Sequence, residues 1–386
     1  MTSPRAPGPH SAAALPVFDV AVIGGGLVGS AIAYGLRGSA ASIAVLDEGD
    51  IALRASRGNF GLVWLQSKGF GLGAYSAWTL GSTRLWPRLA AQLQEETGID
   101  VALEQKGGLT PLMGDYEIEA RLAWVHKLMA QPGVEPYEWK LLDHHQAASL
   151  VPGLGKDVTG AIWTPHDGIV NPLKLLRAFH TAFDRSGVRY LPHHGVTGIA
   201  QQADGGFTLD TPQGPVRARK IVLASGLRNG DLGKMVGIDL PMAPQRGQIL
   251  VLERTRRLLD TPMVTLRQND EGSWLVGDSQ EEAGYADHIT TLPMLATLAD
   301  RAVRTIPALK EVRAVRAWSA LRVRAQDGFP VYEQSASHPG AFIVTCHSGV
   351  TLAATHALKL APMIAAGTLP AELDHFSTRR FHVQKT

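Results

Sequence analysis

Short apolar runs alternate along this chain with glycine-broken turns and longer stretches of helical spacing. Residues 20–23 form one such run and lead into Gly24-Gly25-Gly26-Leu27-Val28-Gly29, after which comes a stretch of small residues that suits a helix. Residues 42–46 form a second run that ends on Asp47. The pattern predicts a strand, a helix and a strand. A polar, glycine-rich loop follows over 55–73. Residues 76–97 then place Trp78, Leu85, Trp86, Leu89 and Leu93 at helical spacing. Residues 101–112 read as strand, turn and strand through Gly107-Gly108, and 117–130 as a helix. Residues 164–172 predict a turn that feeds a helix over 173–186. A strand over 188–191, a hairpin-rich patch to Val216 and an apolar strand over 220–224 come next. Beyond Pro241 the pattern predicts strands over 248–252, 273–277 and 313–323, with a helix near 292–305. The chain closes with a strand over 341–345, a turn over 346–349 and a helix over 350–366.

The first of these units carries chemistry. Its turn has the spacing G-x-G-x-x-G, and an acid closes the second strand. Gly24 permits the tight turn, Gly26 lets backbone approach a pyrophosphate, and Gly29 lets helix and strand pack closely. The helix N-terminus attracts phosphate, and Asp47 accepts hydrogen bonds from a ribose. The motif alone is weak; strand, helix and acid in their expected places predict dinucleotide binding.

Composition narrows the class. The chain has 386 residues, 45% of them hydrophobic, which is enough for two folding units with good cores. A net charge of +2 with dispersed Lys and Arg argues against nucleic-acid binding. The single cysteine, Cys346, excludes an internal disulfide or an iron–sulfur cluster held by this chain alone. The pairs His144-His145 and His193-His194 lack partners at metal-site spacing and read as loop or surface residues, so no metal is expected. Residues 1–16 are rich in Pro, Ala and Ser without the apolar run of a signal peptide, and are expected to form a flexible tail. The uncharged stretches 20–36 and 341–358 are broken by glycines, so no membrane span is expected, and the expected location is cytoplasmic. No G-x-S-x-G, H-E-x-x-H or paired-carboxylate signature points to a hydrolase.

Six features in order then carry a resemblance over nearly the whole chain after the tail. They are GGGLVG with VLDEGD, ASRGN, HDGIVNP, KIVLASG, GSWLVGDSQEEAGY, and WSALRVRAQDGFPV followed by VTCHSGVTLA. Together they resemble the FAD-dependent D-amino-acid oxidase superfamily, in its glycine and sarcosine oxidase group. SRGNFGLVW and CHSGVTLA are most similar to the β subunits of opine (octopine or nopaline) oxidases and of D-hydroxyproline dehydrogenases. The resemblance implies an α/β fold (α+β overall), a Rossmann-like FAD-binding domain with an inserted antiparallel-sheet substrate domain. The nucleotide features lie at both ends and near residue 225. They imply an FAD-binding domain over 17–100, 150–235 and 336–386, and a substrate-binding domain over 101–149 and 236–335.

The resemblance also implies roles. Gly24, Gly26, Leu27, Val28, Gly29, Asp47 and Glu48 would hold the ADP half of FAD. Ser56, Arg57 and Asn59 would lie along the pyrophosphate and flavin ring, Val196 would meet adenine, and Ala224, Ser225 and Gly226 would close over the cofactor. Ser348, Gly349, Val350, Thr351 and Leu352 would form the turn and helix start that face the flavin pyrimidine, with His347 touching flavin or substrate. Arg322 matches the arginine that binds substrate carboxylate, and a guanidinium clamps a carboxylate in bidentate fashion. Arg324, two residues on, is expected on the same side of its strand, and with Arg246 it is a candidate for a second carboxylate. The position of the flavin-linking cysteine of monomeric sarcosine oxidases falls near Ala320, so FAD is expected to be non-covalent. Cys346 reads as a packing residue. His166 stands where heterotetrameric sarcosine oxidases carry a flavin-linked histidine in a similar stretch, which would place a second flavin (FMN) at a subunit interface.

The expected function is oxidation of the C–N bond of an amino-acid-like secondary amine, such as an opine, by hydride transfer to flavin. The chain would be the catalytic β subunit of a hetero-oligomer. An α subunit, and a small iron–sulfur subunit, would take the electrons. Alternatives are a D-hydroxyproline dehydrogenase β subunit and a self-sufficient glycine, sarcosine or D-amino-acid oxidase that makes hydrogen peroxide. A nicotinamide dehydrogenase or a non-catalytic flavin-binding subunit are more distant ones.

Overall fold

The computed structural model describes residues 16–49, 55–277 and 279–382; most of the expected N-terminal tail lies outside them. The predicted strand–helix–strand unit is the centre of the molecule. Strand Phe18–Ile23 pairs in parallel with Ile43–Leu46 on one side and with Val216–Leu223 on the other. Ala341–Thr345 and Arg189–Leu191 extend the parallel block, and Val331–Gln334, Phe207–Asp210 and Gly198–Gln201 add antiparallel members, for eight strands in all. Strands Ile43–Leu46 and Ala341–Thr345 are buried at every position, as expected of parallel strands covered on both faces.

One face of this sheet carries the helices Leu27–Leu36, Gly73–Thr97 and Pro172–Ser186 and the C-terminal helix. Leu27–Leu36 is built from small residues because it is pressed from two sides. A Cβ on Gly35 would lie 2.0 Å from the carbonyl oxygen of Ala357 in the C-terminal helix. Pro172–Ser186 has its punctuation written locally: the Asn171 side chain caps two N–H groups, Pro172 sits in the first turn, and Gly187 ends the helix with φ +74°. Helix Gly73–Thr97 runs through Pro87, which has no N–H for the carbonyl of Thr83. The side chain of Gln105 supplies the missing donor at 2.9 Å.

A second, antiparallel sheet of five strands lies beyond Pro241. Gln245–Arg254 pairs with Ser273–Val276, Glu281–Glu282 and Ala314–Arg322, and Leu266–Gln268 forms one edge. Helix Leu292–Thr305 packs against it through Leu298 and Ala302. A three-stranded sheet joins Gly108–Leu112, Gly160–Thr164 and Lys140–Asp143. Four local expectations are corrected. Residues 101–107 do not form a named strand; Glu104 makes an isolated bridge to Ile169. Two short strands, Gly160–Thr164 and Gly168–Ile169, flank a tighter turn than the one predicted over 164–172. His144 and His145 open a seven-residue helix capped by Asp143 and are not in a loop, although His145 is exposed as a surface residue. The last helix begins at Ala353, not Val350, and runs as α, then π over His356–Leu360, then α again to Ala366. Pro362 denies the carbonyl of Leu358 its usual donor, and the wider turn sits directly before it. Among the described residues no helix is long and apolar enough to cross a membrane.

Candidate functional site

One cavity of about 880 Å³ runs from the glycine turn of the large sheet to the end of the antiparallel sheet. That lies in the upper range for small-molecule and cofactor sites. Its first end is a backbone cradle. Gly24 has φ +112°, and a Cβ there would lie 2.4 Å from the carbonyl oxygen of Ala224. A Cβ on Gly26 would lie 2.8 Å from Ser56 Oγ, and one on Gly29 only 1.9 Å from the carbonyl oxygen of Gly24. Gly24, Gly26, Leu27 and Val28 line the cavity, whereas Gly29 lies behind it and closes the packing of helix on strand. Asp47 is 4% exposed, and its carboxylate accepts from the N–H groups of Gly25 (2.6 Å) and Gly49 (3.0 Å). A carboxylate has acceptor capacity beyond two bonds, and Asp47 and Glu48 both line this end.

The loop that starts at Ala55 lies over the helix N-terminus. Ser56 Oγ accepts the N–H of Leu27 at 2.9 Å, which satisfies one of the helix's unpaired donors. Ser56 and Asn59 line the cavity; Arg57 is exposed and stands outside the lining. Val196, Ala224, Ser225 and Gly226 complete this half. Ser225 is held by Asn229, whose buried amide also donates to Val344, Leu223 and Thr345 across two strands. Asn229 carried no signal in the sequence, although it braces the turn that closes on the cradle.

The far end is cationic. Arg322 is the last residue of its strand, and its guanidinium lies over Gly247 of the neighbouring strand, donating to the carbonyl of Arg246 at 3.1 Å. A Cβ on Gly247 would lie 2.8 Å from that guanidinium, so this glycine makes the space that Arg322 occupies. Arg324 also lines the cavity, but it lies past the strand end, not on its alternating face. Arg246 does not line it. Its guanidinium is paired with Glu281 at 2.8 Å and Asp287 at 2.5 Å and ties down the segment that brings Tyr285 and His288 to the cavity wall. Lys68, unnoticed in the sequence, lines the cavity from the opposite loop. The lining carboxylates Asp47 and Glu48 stand at the cradle, away from these cations.

Between the ends lies the turn before the C-terminal helix. His347, Ser348, Gly349, Val350 and Thr351 line the cavity, while Leu352 is fully buried in the core behind them. Ser348 Oγ is 3.0 Å from His347 Nδ1 and 2.7 Å from the hydroxyl of Tyr75, a residue the sequence did not single out. Burial, and then the charges of Lys68, Arg322 and Arg324, hold His347 well below the ordinary histidine range. Thr351 Oγ1 accepts the N–H of Trp64 and donates to the carbonyl of Leu62, stitching the turn to the loop that carries Lys68. Beneath that loop Asp167 is fully buried and accepts from the N–H of Leu65 (2.5 Å) and from the Gln66 amide (2.9 Å). Burial raises its pKa from 3.8 to about 7. Its neighbour His166 is not part of the lining; it stands edge-on to Tyr137, with burial and Arg84 lowering its pKa. Cys346 lines the wall as a buried thiol pushed up to about 12 by desolvation, which makes it a poor nucleophile. Among the described residues no cluster of His, Cys, Asp or Glu is suited to a metal ion.

The residues present fit FAD. The cradle that added Cβ atoms would fill, the acid closing the second strand, and a cavity of about 880 Å³ that starts at both meet what that group needs. Comparison with known proteins agrees. Residues 19–363 match the DAO family, described as FAD dependent oxidoreductase. The chain is 44% identical over 368 residues to the B subunit of opine oxidase from Agrobacterium tumefaciens (strain Ach5), covering 95% of this chain and 98% of that one. It is 42% identical over 367 residues to the B subunit of opine oxidase from Rhizobium meliloti, with the same coverage. Its fold is similar to the crystal structure of glycine oxidase from Geobacillus kaustophilus, with a TM-score of 0.83 at 25% identity, covering 96% of this chain and 99% of that one.

Proposed function

This chain belongs to the DAO family of FAD dependent oxidoreductases, and from that premise we propose that it oxidises the C–N bond of an opine-class secondary amine as one subunit of a hetero-oligomeric dehydrogenase. The observation that carries the reading is the polarity of the cavity: a backbone cradle for a dinucleotide at one end, and Arg322, Arg324 and Lys68 converging at the other. Glycine and sarcosine carry one carboxylate, whereas an opine carries at least two, and several cations suit the second class. In this reading the glycine turn, Asp47, Ser56 and Ala224–Gly226 hold FAD without a covalent link. The large sheet serves the cofactor and the five-stranded sheet the substrate.

FAD, when bound, accepts the hydride that leaves the substrate α-carbon. Everything else is the work of side chains. Arg322 clamps the α-carboxylate, and Gly247 lets it lie flat against the sheet. Lys68 and Arg324 take the further carboxylate. Their positive potential also favours loss of a proton from the substrate ammonium, and the neutral amine is the form that can yield hydride. Loss of hydride and that proton leaves an iminium ion, which water cleaves to a 2-oxo acid and a free amine. That the two opine oxidase relatives are B subunits supports a partner chain as the next electron carrier. The second flavin at His166 receives no support from the cavity, which does not reach that residue.

Anaerobic absorption spectra test the reading. The yellow holoprotein should bleach with octopine or nopaline and not with glycine or sarcosine. Bleaching by glycine or sarcosine, with peroxide formed in air by the isolated chain, would replace it with the self-sufficient oxidase. Bleaching by D-hydroxyproline alone would move it to the cyclic imino acids.

A further inference from the structure

Three side chains on the cavity wall form one hydrogen-bonded row: Tyr75 Oη, Ser348 Oγ and His347 Nδ1, at 2.7 and 3.0 Å. Counting donors assigns the protons along it. Tyr75 is 3% exposed, burial pushes its phenol up so that it keeps its proton, and among the described residues Ser348 is its hydrogen-bond partner. A buried hydroxyl left without an acceptor costs about 1–3 kcal/mol, so the phenol donates to Ser348. The serine has a single proton of its own and passes it on to His347 Nδ1. A ring nitrogen that accepts carries no hydrogen, so the imidazole is neutral with its proton on Nε2, at the far edge of the ring. With Nδ1–H donating instead, one hydroxyl proton of the row, that of the phenol or that of the serine, would be left without an acceptor in it.

A second observation agrees. Lys68, Arg322 and Arg324 all act on this imidazole, and like charges nearby disfavour a second proton. A neutral N–H adds a hydrogen bond to a cationic site without adding a further positive charge.

We propose that Tyr75 and Ser348 fix His347 as a neutral Nε2–H donor to the substrate's anionic group at the cationic end of the cavity. The proposal rests on the opine reading and sharpens it: His347 binds the carboxylate and is not the base that takes the amine proton. Tyr75 is a positioning residue that acts through Ser348.

The test is nitrogen NMR of the holoprotein labelled with ¹⁵N-histidine, the His347 signals being those lost in His347→Asn. Without substrate, Nδ1 should be unprotonated and Nε2 protonated from about pH 6 to 9. In Tyr75→Phe and Ser348→Ala both tautomers should appear. Acetate, as a carboxylate probe read by its perturbation of the flavin spectrum of the FAD-loaded fraction, should bind about tenfold more weakly in both, the equivalent of about 1.4 kcal/mol. A protonated Nδ1 in the parent protein, or an unchanged tautomer in Ser348→Ala, overturns the proposal. Because the tautomer is read without substrate, its failure leaves the opine reading standing. Absence of bleaching by opines leaves the tautomer standing.

Discussion

The two ends of the cavity are built by opposite means. The cradle is made of what is missing: at Gly24, Gly26 and Gly29 a single added carbon would meet Ala224, Ser56 or Gly24 itself. Its parts lie mostly within one βαβ unit, and at Gly24 and Gly29 the atom met is a backbone oxygen. The cationic end is made of what is present: long side chains from the loop at Lys68, the strand ending at Arg322, the Arg324 turn and the turn at His347. Partners distant in sequence brace it: Arg322 donates to the Arg246 carbonyl, and Tyr75 meets Ser348 across 273 positions. A backbone site tolerates almost no added atom. A side-chain site yields by degrees, because the tip of an arginine can move when a backbone carbonyl cannot.

Three substitutions probe that contrast. Gly29→Val is expected to be the most damaging. Its Cβ would meet a backbone oxygen at 1.9 Å, so the helix must leave the strand, at a cost of about 3 kcal/mol or more. Purified protein should lack FAD and melt earlier. A variant that retains the cofactor and the parent's melting temperature would show that the cradle is less rigid than its backbone contacts require.

Asp167 comes next. Its pKa rises from 3.8 in the unfolded chain to about 7 in the fold, so between those values the folded state holds the proton that the unfolded state has released. Stability contributed by this site therefore falls as pH rises through that window, by on the order of a few kcal/mol. Denaturant unfolding at about pH 5 and 8 should show a decline that Asp167→Asn flattens. An equal slope in both proteins would mean that Asp167 is ionised in the fold.

Gly247→Ala is the mildest. The new methyl meets the movable guanidinium of Arg322 at 2.8 Å, so the side chain shifts and the fold survives. We expect KM to rise about tenfold, a change of 1.4 kcal/mol, with FAD content unchanged. Steady-state kinetics that show no change in KM would remove Arg322 from substrate binding.

The same contrast decides how much was legible in the sequence. The βαβ unit was legible because its constraints are local: an apolar run, a turn that needs glycine, and an acid at a set distance. Helix Pro172–Ser186 was legible because Asn171, Pro172 and Gly187 announce its ends. The last helix starts three residues later than expected because the Thr351 carbonyl accepts from Ser82 Oγ and Trp86 Nε1 and its hydroxyl bridges Trp64 and Leu62, while Ser82 Oγ takes the Thr355 N–H that a helix would have used. Arg246 looked as fit for a carboxylate as Arg322. Nothing near it in sequence shows that Glu281 and Asp287 take its guanidinium.

The sequence by itself determined the dinucleotide cradle, the parallel sheet around it and the membership of the chain in its family. The cradle and its two flanking strands rest on steric exclusion and apolar periodicity between near neighbours; the wider sheet and the family rest on the resemblance carried by six motifs along the chain. The tertiary structure alone decided which cations face the cavity, that Gly247 makes room for Arg322, that Gln105 supplies the donor Pro87 lacks, and that Tyr75, Ser348 and His347 meet in one row. Charge pairing and hydrogen-bond direction depend on distances in space, and a linear order of residues does not contain them until the chain has closed on itself.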